Sequence, residues 1–173
     1  MRKPMVIGAV GEAANDTQDP AGADQAAARA EAPRFGRILV PTDFSDPSRK
    51  ALRCAVRLAE KFGSRVSLIH VIEPVMSPDF THFPLALEEE KVIETARQRL
   101  AHLGRAWLSE QSLGDFIVRS GNPFHEITEA ARELKADLIV ISTHGYTGLK
   151  RALLGSTAER VVRYAPCAVM TVR

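Results

Sequence analysis

Cysteine is scarce in this 173-residue sequence. There are two, Cys54 and Cys167, far apart and without CxxC or CxxxH spacing. That excludes a disulfide-framed scaffold and a structural zinc site, and it fits a reducing, cytoplasmic compartment. An excess of one charge sign is missing as well. Lys and Arg number 23 against 21 Asp and Glu, a net charge of +2, too small to imply a nucleic acid or an acidic membrane as partner. No apolar run reaches the roughly 20 residues that a bilayer-crossing helix needs. The GxSxG elbow, the HExxH helix and the GxxxxGK[ST] phosphate loop do not occur. No nucleophile or general base is therefore assembled, and any ATP hydrolysis is expected to be slow and incidental.

Large apolar residues are nearly missing between Val10 and Arg34, where Ala, Gly, Asp and Gln dominate. Such a segment buries too little surface to offset its ordering entropy. The start, MRKPMVIGAVG, has two basic residues and a short apolar patch, but acidic and turn residues follow where a signal peptide would have its cleavage site. The expectation is a disordered, untargeted extension over 1–34 and one domain over 35–173.

Within 35–173 apolar runs alternate with helical patterns. RILVP (Arg37 to Pro41) reads as a strand. Ser45 or Asp46 then caps a helix with Pro47 in its first turn, and Gly63 ends it. Ser64 to Ile72 reads as a second strand, and Glu73 to Pro84 as a loop. Leu85 to Leu108 reads as a long amphipathic helix with a break near Gly104. Strands follow at Asp115 to Gly121, Asp137 to Thr143 and Cys167 to Arg173, with helices at Pro123 to Lys135 and Ser156 to Ala165. Repeated β-α alternation implies an α/β fold, a parallel sheet with helices on both faces. In such sheets ligands bind beyond the carboxyl ends of the strands, where strand order reverses. PTDFS after the first strand and STHGYTG after the fourth should meet there.

The stretch STHGYTGLKRALLGST, residues 142–157, carries three glycines and five Ser or Thr hydroxyls between a strand and a helix. Glycines let backbone approach a ligand, and a helix N-terminus offers unpaired N–H groups to a phosphate. Lys150 and Arg151 could add positive charge. A second reading is purely structural: Ser156-x-x-Glu159 matches a capping box, and Gly145 and Gly148 serve as turn residues. Asp43 divides the same way, between a carboxylate at the crevice and a cap in Asp43-Phe44-Ser45. His70, inside an apolar strand, reads as a satisfied histidine. His82, His102 and His125 share no metal spacing, and Cys54 reads as a small core residue.

From Arg37 to Arg173 the chain resembles a universal stress protein domain. The resemblance lies in RILVPTDFSDPSRKAL, SLIHVIEP, GNPFHEI, ADLIVISTHGYTGLKRALLGSTAERVV and APCAVMTV, in that order. It implies an open, twisted, Rossmann-like sheet of five parallel strands ordered 3-2-1-4-5, a homodimer, and in one branch an ATP site. That branch carries Gly, two residues, Gly, nine residues, then Gly and Ser or Thr. Gly145 and Gly155-Ser156 fit, whereas Ser142 stands where the first glycine belongs. By resemblance, Pro41 and Thr42 shape one wall, Asp43 faces ribose or adenine, and Val71 meets adenine through its backbone. Ser142, His144, Gly145 and Gly148 border the phosphates, Gly155, Ser156 and Thr157 close the far side, and Mg²⁺ accompanies the nucleotide. The last strand, Ala168 to Val172, should be a sheet edge through which two copies pair.

Three functions follow for test: an ATP-binding regulatory dimer without dedicated catalysis, a nucleotide-free interaction module of the same fold, and an ATP-consuming transferase.

Overall fold

A computed structural model describes residues 35–74, 85–144 and 154–173, with backbone alone for 85–89. They lie in one compact unit, Arg34–Arg173. The expected disordered extension 1–34, the loop 75–84, and Gly145, Gly148, Lys150 and Arg151 fall outside the described residues.

Among the described residues the chain runs β1 (Arg37–Pro41), α1 (Asp46–Phe62), β2 (Arg65–Ile72), α2 (Leu85–Trp107), β3 (Leu113–Ser120), α3 (Pro123–Glu133), β4 (Leu138–Ser142), α4 (Ser156–Tyr164) and β5 (Ala168–Val172). All strand pairs are parallel and the order is β3-β2-β1-β4-β5, as the resemblance implied. β1 is central: Val40 pairs with Leu68 on one side and Leu39 with Ile139 on the other. β5 lies at one edge, beside β4.

Alternation along the strands feeds two cores. Ile38, Val40, Leu68 and Val140 point toward Leu52 of α1 and Leu100 of α2. Leu39, Ile69 and Ile139 point toward Ile127 of α3 and Val161 of α4. Each such Leu, Ile or Val side chain is fully or almost fully buried, and each contributes about 1.5–3 kcal/mol. With both faces covered, the strands read as continuous apolar runs.

Helix α1 starts as the sequence suggests. Ser45 is the N-cap and accepts from the Ser48 N–H, with Pro47 in the first turn. Gly63 ends the helix at φ 66°, donating its N–H to the Ala59 carbonyl at 2.8 Å. Helix α2 differs from expectation, for it runs unbroken through Gly104. A Cβ there would lie 2.2 Å from Cε1 of Phe116. The glycine makes room for a ring on β3 rather than bending the helix. β3 also begins earlier than expected, at Leu113. Gly114 lies within it, where a Cβ would sit 2.5 Å from Ser67 Oγ. The β2–β3 register shifts between Val66 and Leu68 at that point.

Candidate functional site

The connection after β1 is held by its own side chains. The Phe44 N–H donates to Thr42 Oγ1 at 3.0 Å. Ser48 Oγ donates to the Ser45 carbonyl at 2.9 Å. Its proton is thereby engaged, so in the 3.0 Å Thr42–Ser48 contact Thr42 is the donor. Asp43 Oδ1 accepts from both the N–H and the hydroxyl of Ser45. Asp43 therefore has the capping link that its sequence allowed, made through the N-cap residue, and still reaches the crevice.

Phe44 takes φ 64°, a left-handed conformation that costs a residue with a Cβ about 1–3 kcal/mol. Its ring is held by two neighbours. The His70 ring is 4.6 Å away by centroids, and the Arg99 guanidinium carbon lies 4.1 Å from the ring centre. His70 Nδ1 is 2.8 Å from the Thr42 carbonyl. A carbonyl only accepts, so Nδ1 carries the proton.

The fourth connection closes on itself. The Gly155 N–H donates to the Thr143 carbonyl at 2.7 Å, so the two ends of the STHGYTGLKRALLGST stretch meet. A Cβ on Gly155 would lie 3.1 Å from that same carbonyl oxygen. Gly155, not Ser156, is the N-cap of α4, and the cap makes no side-chain hydrogen bond. The capping box expected from Ser156 and Glu159 is thus replaced. The helix starts at Ser156 as expected, and Gly155, anchored to Thr143, takes the cap position so that Ser156 lies inside the first turn. The first N–H groups of α4 have no intrahelical partner, and they carry the positive end of the helix dipole.

These pieces border one cavity of about 260 Å³ at the carboxyl ends of β1, β2 and β4. Of the residues singled out from sequence, Pro41, Thr42, Asp43, Val71, Ser142, His144, Gly155, Ser156 and Thr157 all line it. Ser142 is the last residue of β4, nearly buried and paired with Val172. A positive φ at this position, the conformation that would call for glycine, is not among those the described backbone adopts. The sequence reading missed His70, Glu73 and Thr143, which also face the cavity. His70 is both satisfied through Nδ1 and exposed to the crevice. Its apolar neighbours Ile69 and Val71 hid the second fact, and its place at the end of the strand was the only available signal.

The lining carries two carboxylates, Asp43 and Glu73, and two imidazoles, His70 and His144, beside the helix N-terminus. Among the described residues no group of three or more His, Cys, Asp or Glu stands close enough to hold a metal ion, and no helix is long and apolar enough to cross a membrane.

Comparison with known proteins gives this arrangement its family. A universal stress protein of Methanocaldococcus jannaschii is 37% identical over 143 residues, covering 80% of this chain and 82% of that protein. The solved universal stress protein UspA from Lactobacillus plantarum matches with a TM-score of 0.62 at 29% identity, covering 81% of this chain and 99% of that one. A universal stress protein solved in complex with cAMP shares the fold, with a TM-score of 0.57 at 23% identity, covering 81% and 98% of the two chains. The sequence pattern of the universal stress protein family itself matches residues 34–173. The family pattern runs through every described residue, and the chain belongs to the universal stress protein family.

Proposed function

We propose that this protein is a cytoplasmic stress-response regulator that binds ATP, with Mg²⁺, in the crevice beyond β1 and β4, and that it acts as a homodimer without dedicated catalysis. One observation carries the reading: the first turn of α4, uncapped by any side chain, is anchored by Gly155 to Thr143 at the crevice. Unpaired N–H groups and a positive dipole end suit a phosphate chain. Gly155, Ser156 and Thr157 would hold the phosphates. Asp43 would accept from ribose hydroxyls, and Val71 would border the base. Mg²⁺ would come with the triphosphate and be held largely by its oxygens. The fold accommodates a nucleotide in at least one relative, the protein solved with cAMP. ATP would act by favouring one conformation or partner surface through preferential binding.

The dimer reading rests on β5. It ends the sheet beside β4, and Ala168 and Thr171 are exposed along it. An open edge strand is a template for a second copy. Sedimentation of the purified protein at twice the monomer mass supports the dimer; a monomer at all concentrations rejects it.

A second reading, the nucleotide-free module, draws on Asp43 and Glu73. These two carboxylates face the cavity and repel a polyanion. Calorimetric titration with Mg²⁺ and ATP, on protein checked for carried-over nucleotide, separates the two. Saturation near one ATP per chain with negligible turnover supports the regulator. No binding to empty protein leaves the interaction module, and steady turnover with an acceptor points to a transferase.

A further inference from the structure

Phe44 is a wall with two sides. His70, which lines the crevice, packs on its ring, and so does Arg99 of α2. Beyond Arg99 a second cavity of about 330 Å³ lies between α1 and α2. Arg49, Arg99 and His102 line it together with Thr95, Gln98 and the apolar Leu103. It shares no residue with the crevice.

From this groove we infer a second binding site, one for a small phosphate monoester. Among the described residues no carboxylate is in its lining. The neighbouring acids are engaged outside it. Asp46, 91% exposed, pairs with Arg49 at 3.8 Å, and Glu94 accepts from Gln98 at 3.0 Å. An ion pair so exposed is worth little, so Arg49 can exchange Asp46 for a stronger anion. Arg99 is held in advance. Its guanidinium carbon lies 4.1 Å from the centre of the Phe44 ring, and such a cation–π contact leaves N–H donors for an oxyanion. Two guanidinium groups flanked by a Thr hydroxyl and a Gln amide match the several acceptor oxygens of a phosphoryl group. Leu103 and the rim of Phe44 offer a short apolar surface to the esterified carbon chain. Its described lining comes from α1, α2 and Phe44 and offers anchors for one phosphoryl group and a short chain, which suits a metabolite-sized ester.

The test uses the isotope-labelled full chain, followed by NMR, with inorganic phosphate and glycerol phosphate as probes against chloride at equal ionic strength. Saturable shifts at Thr95, Arg99 and His102 with both probes, tighter for the ester, are expected. Arg99→Gln should weaken binding at least about tenfold, and Arg49→Gln, on the exposed start of α1, should weaken it as well. Gly155→Val, in the crevice, should leave it unchanged. Shifts confined to the crevice, no saturation, parental affinity in both Arg variants, or phosphate binding without the ester would each overturn the site.

Discussion

The ring of Phe116 occupies the space that a side chain on Gly104 would need: a Cβ would fall 2.2 Å from Cε1 and 2.5 Å from Cζ. Gly104→Ala should therefore destabilise the protein, since overpacking costs about 1–3 kcal/mol and outweighs the helix-propensity gain of about 1 kcal/mol. In a Phe116→Ala background the same change should become stabilising. Urea denaturation of the four proteins measures both signs, and a stabilising Gly104→Ala in the parent would disprove the steric account.

Gly155→Val sets a branched side chain against the Thr143 carbonyl, where even a Cβ stands at 3.1 Å. The backbone at Gly155 is extended, with φ −68°, so the substitution brings no conformational strain. Thermal stability should fall modestly, while ATP affinity falls at least about tenfold as the displaced helix start loses its hold on the phosphates. Full ATP affinity in the variant would rule out this helix start as the phosphate cradle.

Ser142→Gly restores the glycine of the ATP-binding signature. Because Ser142 sits in regular strand paired with Val172, the change should lower stability by about 0.5–1 kcal/mol and leave ATP affinity unchanged. A large gain in affinity would mean that the serine itself obstructs the site.

Ser45→Ala removes the cap of α1 and with it a partner of Asp43. A stability loss of about 1 kcal/mol is expected, together with weaker ATP binding as Asp43 loses its orientation. Ser45→Asp keeps a capping acceptor but faces Asp43 with a like charge, so it should harm ATP binding more than stability. Titration calorimetry and denaturation on both variants separate the two effects.

Burial raises the pKa of the Cys167 thiol above its usual value, and the charge of Asp137 adds to the rise, against a smaller opposing effect of the Ile139 backbone. The native state thus holds this proton more tightly than the unfolded chain. The associated stability is complete below the ordinary thiol pKa of 9.0 and is lost as pH rises above it. Alkylation of Cys167 should be slow at neutral pH and faster in Asp137→Asn. An unchanged rate would remove Asp137 as a cause.

The order of elements was legible because period and punctuation are local. Val40 and Leu68 declare strands, while Ser45, Pro47 and Gly63 declare the ends of a helix. Eight crevice residues were legible because they sit in two stretches after strands, 41–43 and 142–157, and Val71 because of the resemblance. What escaped depends on partners distant in sequence. Gly104 looks like a helix breaker until Phe116 fills its gap, and β3 seems to start at Asp115 until Gly114 is seen packed against Ser67. Ser156 looks like a cap until Thr143 claims Gly155. His70 looks internal because its crevice-facing edge depends on Phe44 from another strand's connection.

The bond between Thr143 and Gly155 has a consequence for how the protein can change over time. It joins the residue after β4 to the cap of α4. For a flexible connection, doubling its length costs only about 0.6 kcal/mol. Lengthened or exchanged sequence between those two residues should thus cost the described fold little, which makes this a place where a foreign peptide can be grafted.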